Sequence, residues 1–106
     1  MITLEDFAKV ELKIGKVLEA KRVEGSNKLI AMKVDTGEER QIVAGIGKAY
    51  LPEELVGKSI VVVMNLQPAK LMGVESQGML LAASDADGRL SILTTDRDIK
   101  TGSKVR

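Results

Sequence analysis

Between Val10 and Ala20 the apolar residues Val10, Leu12, Ile14, Leu18 and Ala20 all fall on alternate positions. A period of two places them on one face of a half-buried strand. The run is long for one strand, so Gly15 near its middle is expected to mark a bulge or sharp bend. Small barrels need such a device where one strand serves both halves of the sheet. Gly25-Ser26-Asn27 reads as a turn, Ile30 to Val34 as a second strand, Asp35-Thr36-Gly37 as a hairpin turn and Arg40 to Ala44 as a third strand. Ahead of the first strand, Thr3 to Lys9 reads as one or two helical turns, with Thr3 as the cap, Asp6 as the acid of a capping box and Phe7 as a core staple. Gly45 and Gly47 break the third strand. A brief helix, Pro52 to Leu55, then ends at Gly57, and strand four runs from Lys58 to Asn65. The stretch Leu66 to Gly78, with Pro68 and Gly73, is expected to be a long, partly ordered loop. Met79 to Ser84 is strand five, Asp85 to Gly88 a turn and Arg89 to Thr94 a further short strand.

That order predicts an all-β fold: a five-stranded OB-fold barrel with short helices at the N-terminus and between strands three and four. With 106 residues, roughly 65% of the unfolded surface can be buried, enough for one core. Residues 1–106 are therefore expected to form a single binding domain that includes a C-terminal extension, 84–106. Ile60-Val61-Val62-Val63-Met64 and Met79-Leu80-Leu81-Ala82-Ala83 do not alternate, so both faces of these strands should be covered. A small barrel has one inside, so the outer faces must meet the terminal segments or another subunit. A homodimer is the favoured reading.

Composition narrows the chemistry. The chain has no histidine and no cysteine, which removes disulfides, thiolate or imidazole metal sites and the Ser-His and Cys-His nucleophile pairs. No catalytic residue, metal or cofactor is expected, and the chain alone is read as a non-enzyme. Sixteen basic residues stand against fifteen acidic ones, so any nucleic-acid site must be a local patch. No apolar run reaches the ~18 residues of a membrane span, and Met1 leads into acidic residues, so a cytoplasmic protein away from membranes is expected.

Phe7 and Tyr50 are the only aromatic residues, too few for a base-stacking platform, and Tyr50 is expected to pack beside Pro52. A ligand read through phosphates, shape and exposed base edges fits better, as with structured RNA. Lys28, Arg40, Lys48 and Lys70 are the basic residues near loops. The run Asn65 to Lys70, followed by Gly73, Ser76, Gln77 and Gly78, adds amides, a hydroxyl and glycines that let a backbone come close. Gly45-Ile46-Gly47 lacks the Gly-Lys-Ser/Thr ending of a phosphate loop.

Several segments carry a resemblance. Phe7 to Val17, Asn27-Lys28-Leu29, Val34-Asp35 with Gly37, Arg40 to Ile46, Pro52 to Lys58, Asn65-Leu66 with Pro68 and Lys70, and Gly73 to Ala83 together resemble the tRNA-binding OB domain found at the C-terminus of methionyl-tRNA synthetases and as a stand-alone dimeric tRNA-binding protein. The resemblance implies a non-catalytic homodimer that binds tRNA by its folded shape and raises its affinity for aminoacylation, either alone or with the catalytic part of the synthetase. It implies RNA-facing roles for Asn27, Lys28, Arg40, Asn65, Lys70, Ser76, Gln77 and Met79: the three cations on phosphates, the amides and the hydroxyl on sugar or base edges, Met79 as an apolar contact. One departure is Val23 to Leu29, where the family usually has a His-Pro pair and an aspartate at the position of Asn27. A related branch of export chaperones lacks the Ser76 to Ala83 run. A peptide-binding dimer of that kind is the alternative.

Overall fold

The computed structural model describes residues 1–106. Two four-residue helices, α1 (Leu4–Phe7) and α2 (Pro52–Leu55), accompany ten strands. The strands are β1 (Leu12–Arg22), β2 (Ile30–Asp35), β3 (Glu39–Ala44), β4 (Ser59–Val63), β5 (Ala69–Leu71), β6 (Val74–Ser76), β7 (Met79–Leu80), β8 (Ala82–Ser84), β9 (Leu90–Ile92) and β10 (Lys104–Val105). Antiparallel pairing in the order β3-β2-β1-β4-β7 makes a nearly closed five-stranded barrel. As its length predicts, β1 serves both halves, but the alternation fails in the second: Val17 is buried and Leu18 exposed. Its first part, Leu12 to Lys16, pairs with β4, and its second, Lys16 to Arg22, pairs with β2.

The bulge lies three residues beyond Gly15. The register between β1 and β2 shifts between Val17 and Glu19, leaving Leu18 as the extra, exposed residue. Gly15 instead answers a packing constraint. A Cβ there would stand 2.6 Å from Val34 Cγ1, 3.1 Å from Thr36 Cγ2 and 3.3 Å from Val62 Cγ2. Side chains from both partner strands thus converge over this point, and only glycine leaves room for them.

The interior is filled by Val17, Ile30, Met32, Val34, Ile42, Leu55, Ile60, Val62 and neighbours. All four residues Ile60 to Val63 are buried, and their outer face is covered within the chain. Val61 and Val63 pack with Leu12 and Ile14, against Leu81 and Val105. Val105 arrives on β10, which pairs with Leu12 and Lys13, a strand too short for periodicity to reveal. The apolar run Met79 to Ala83 differs from expectation, because Met79, Ala82 and Ala83 stay exposed. Leu81 divides it: β7 pairs with β4, and β8 turns away to form a hairpin with β9.

Nor is Leu66 to Gly78 a structureless loop. β5 and β6 form a hairpin whose central turn residues, Met72 and Gly73, both have positive φ, 50° and 80°. Two positive φ values define the type I′ turn that suits strand twist, usually announced by Asn-Gly. Methionine in the first place hides that signal. Phe7 is not a core staple either: α1 has its full Thr3–Asp6 capping box but buries no residue. Tyr50 packs on the core, and its hydroxyl accepts a hydrogen bond from the Ile92 amide at 3.1 Å.

Gly15→Ala should therefore lower stability by about 1–3 kcal/mol, the usual cost of overpacking, read as a thermal-midpoint drop of at least about 4 °C. An unchanged midpoint would mean that the Val34 and Val62 side chains yield freely.

Candidate nucleic-acid interface

The barrel path ends at β3 on one side and β7 on the other, and the closure between them is made largely by side chains. The Val43 amide on β3 donates to Ser76 Oγ at 2.9 Å, and that hydroxyl donates to the Gly78 carbonyl at 2.8 Å. Ser76 is 3% exposed, so both bonds are sheltered from water. Next to it, the Gln41 amide donates to Gln77 Oε1 at 3.0 Å, while the Gln77 amide donates to the Gln41 carbonyl at 2.7 Å. Gln41 Nε2 reaches the Glu75 carbonyl at 2.7 Å. Ser76 and Gln77 thus supply side-chain oxygens where a neighbouring strand would present carbonyls. Gly78 lets the chain pass: at φ 137°, a Cβ would lie 2.7 Å from the Val63 carbonyl oxygen.

Arg40 extends this seam. Its Nη1 donates to the carbonyls of Met64 (2.8 Å) and Gln77 (3.1 Å), joining β3 to the end of β4. Its Nε and Nη2 both meet Glu38 Oε1, at 3.3 and 3.0 Å. Asn65 follows Met64 and clips the N-terminal segment. Its Oδ1 accepts from the Glu11 amide at 2.8 Å, and its Nδ2 donates to the Lys9 carbonyl at 2.7 Å. The result is an open groove of about 340 Å³ bounded by Glu38, Glu39, Arg40, Leu66, Pro68 and Gln77.

Beside it, sharing Leu66, lies an apolar groove of about 500 Å³ whose wall includes Ala69, Leu71, Met79, Leu80 and Leu90. Met79 is 45% exposed there. Lys70 stands exposed on β5, opposite Glu75 in the register. The hairpin carrying it lies against the outer face of β2 and β3, where Val74 packs on Val23, Leu29, Ala31 and Val43.

Asn27 and Lys28 occupy the turn after β1, with exposed side chains that make no hydrogen bond or salt bridge within the chain. The turn is built by Ser26, whose Oγ accepts from the amides of Lys28 (3.2 Å) and Leu29 (3.0 Å). It is also pinned from outside, since the Gly47 amide donates to the Lys28 carbonyl at 2.7 Å and Arg22 Nη1 to the Gly47 carbonyl at 2.9 Å. That explains the Gly45-Ile46-Gly47 run: a Cβ on Gly47 would sit 2.8 Å from the Lys28 oxygen. The turn and the hairpin tip are neighbours, a Cβ on Gly25 falling 3.4 Å from Met72 Cε.

Of the eight site residues, Arg40, Ser76 and Gln77 are therefore engaged in the seam, Asn65 ties the end of β4 to the segment before β1, Met79 faces the adjoining apolar groove, and the side chains of Asn27, Lys28 and Lys70 are free. Sequence reasoning missed Gln41, Glu38 and Gly47. Gln41 lies among the motif residues, but an exposed strand amide gives no sign of its cross-barrel bonds. No three acidic side chains cluster in a way suited to a metal ion.

A small barrel whose seam is dressed with amides and guanidinium, flanked by unpaired lysines and lacking aromatic stacking, defines an OB-type module for a polyanionic ligand. Residues 12–104 match the family model described as "Putative tRNA binding domain", and the chain belongs to that family. It is 63% identical over 105 residues to methionine–tRNA ligase of Caldanaerobacter subterraneus subsp. tengcongensis, and 62% identical to that of Thermotoga maritima over the same length. In each case 98% of this chain aligns with 16% of the relative, in the C-terminal region of the synthetase. The chain thus spans about 16% of the length of these curated relatives, and alone it is a binding domain without the catalytic part. Among solved structures it is similar to a MetRS-related protein from Pyrococcus horikoshii (TM-score 0.95, 40% identity, covering 100% of this chain and 98% of that one). It is also similar to the chaperone CsaA of Bacillus anthracis (TM-score 0.90, 30% identity, 100% and 99%).

Ser76→Ala removes the partner of the Val43 amide and of the Gly78 carbonyl together. A buried group left unsatisfied costs about 1–3 kcal/mol, so denaturant unfolding should show at least that loss. Hydrogen exchange of the Val43 amide should accelerate more than that of Val17, deep in β1. Equal acceleration at both would argue against a local seam.

Proposed function

We propose that residues 1–106 act as one tRNA-binding unit, a cytoplasmic homodimer that holds tRNA by its folded shape and raises its affinity for methionyl-tRNA synthetase, in cis or as a separate partner. The observation that carries this reading is the family match combined with two exposed lysines that form no salt bridge, Lys70 on the β5–β6 hairpin that leads into the seam and Lys28 in the turn that neighbours the tip of that hairpin. Lys28, Lys70 and Arg40 meet phosphates, with Asn27 on a sugar or base edge and Met79 in apolar contact. Ser76 and Gln77 act by fixing the seam and Asn65 by fixing the segment before β1, because their side-chain oxygens already hold backbone amides. Gln77 keeps its amide nitrogen for the ligand.

The dimer reading rests on surface. Met1, Ile2, Leu4, Phe7 and Val10 are all exposed on or beside α1, a helix that is fully capped yet buries nothing. The accessible surface, 7223 Å², is about a quarter above the ~5,800 Å² expected for a monomer of this mass. Apolar patches of this kind mark interfaces. Two barrels on one tRNA would raise the effective concentration of the second site and offset modest affinity per barrel.

Titration of unfractionated tRNA against the chain, with duplex RNA as competitor, should give binding to folded tRNA that Lys28→Ala and Lys70→Ala each weaken severalfold. Each substitution should also flatten the salt dependence by about 0.9 in log–log slope, one phosphate contact apiece. Unchanged tRNA affinity in both folded variants would favour the second reading, a peptide held in the apolar groove, which the likeness to a chaperone supports. Light scattering should give a dimer mass, and Leu4→Asp with Phe7→Asp should shift it to the monomer.

A further inference from the structure

The guanidinium of Arg40 has two faces with different commitments. The inner face is fixed, since Nη1 serves two carbonyls, those of Met64 and Gln77. Only the edge formed by Nε and Nη2 looks outward, the fork that a phosphate or carboxylate takes with two parallel bonds. Glu38 already holds that edge: a single oxygen, Oε1, accepts from both nitrogens, at 3.3 and 3.0 Å. This is the shortest salt bridge of the molecule, and its two side chains are unequally placed, Arg40 24% exposed and Glu38 68%. The carboxylate is therefore free to leave while the guanidinium is not. The backbone of Glu38 stays put in either case, because its carbonyl accepts from the Thr36 amide and hydroxyl, both at 3.0 Å, in the turn between β2 and β3.

Resting on the tRNA-binding reading above, we propose that Glu38 is a tethered competitor for the RNA phosphate at Arg40. It occupies the recognition edge of the guanidinium in the free protein and swings out when a phosphate replaces it. The carboxylate sits two residues from its arginine, so its effective concentration is of millimolar order or higher. A free phosphate or mononucleotide must compete against that concentration alone. A folded RNA already anchored at Lys28 and Lys70 presents its phosphate at a comparable effective concentration and wins the exchange. Glu38 thereby lowers the affinity of Arg40 for any single anion and favours ligands that engage several patches together. It is a specificity-setting residue, and no bond is made or broken other than these hydrogen bonds.

Fluorescence anisotropy with unfractionated tRNA and with a short single-stranded oligonucleotide tests this on the full chain. Glu38→Gln should tighten both, by roughly two- to fivefold, the range over which an exposed ion pair acts, with the larger factor for the oligonucleotide. Glu39→Gln makes the same change of charge in the same groove without a bond to Arg40, and should give a clearly smaller gain. On an Arg40→Lys background, which keeps the charge but removes the two-nitrogen edge that Glu38 holds, the extra gain from Glu38→Gln should disappear, with circular dichroism confirming the fold. Equal gains from Glu38→Gln and Glu39→Gln, weaker binding by Glu38→Gln, or a gain that persists on the Arg40→Lys background would each overturn the proposal while leaving tRNA binding intact. A wild-type chain that binds no tRNA would overturn both.

Discussion

A strand path of five members closes into a barrel only if its last edge meets its first, and here that meeting depends on one hydroxyl. Ser76 Oγ sits between the Val43 amide and the Gly78 carbonyl, out of reach of water. Unpaired groups in that place would cost more than most single contacts contribute, so the seam must be satisfied or the barrel stays open. Gln77 repeats the device one residue on, and Arg40 ties the same edge to the end of β4. Side-chain closure has a geometric benefit as well. A regular ladder would cover the polar edge of β3, whereas closure through side chains leaves Arg40 and the Gln77 amide nitrogen at the rim.

The family resemblance assigns Arg40, Asn65, Ser76 and Gln77 to the ligand, while the structure shows each of them bonded to the backbone of its own chain. The two views fit if the ligand is held by a surface whose shape these four residues maintain, with exposed lysines supplying most of the charge at its margin. A balanced net charge suits such a surface, since discrimination then comes from the position of a few cations rather than from a uniform field. It also gives the missing aromatics a reason. Tyr50 is used to hold β9, and a folded RNA offers phosphates and edges before it offers unstacked bases.

Much of the barrel was legible in the sequence: β1, β2 and β4 follow alternating or doubly apolar runs, β3 follows the Asp35-Thr36-Gly37 turn, and both short helices lie where the Thr3–Asp6 box and Pro52 put them. The misses share one cause, that a local pattern says nothing about what arrives from a distance. Gly15 looked like a bulge because sequence shows a missing side chain, not the Val34 and Val62 methyl groups that require it. The β5–β6 hairpin was hidden by methionine in a left-handed turn position. Phe7 looked like a staple because nothing in the sequence says that the face beneath α1 is empty. For the site, residue types were readable while their commitments were not: a buried serine and an exposed lysine are both simply polar letters.

The short strand β10 bears on how such a module travels. Lys104 and Val105 return to Leu12 and Lys13, so the outer side of the β1–β4 pair is sealed by the chain's own far end. With that side covered from within the chain, it demands no surface from a neighbour. That self-sufficiency accounts physically for the two settings in which similar chains occur, as a small fraction of a ligase and as nearly the whole of a MetRS-related protein.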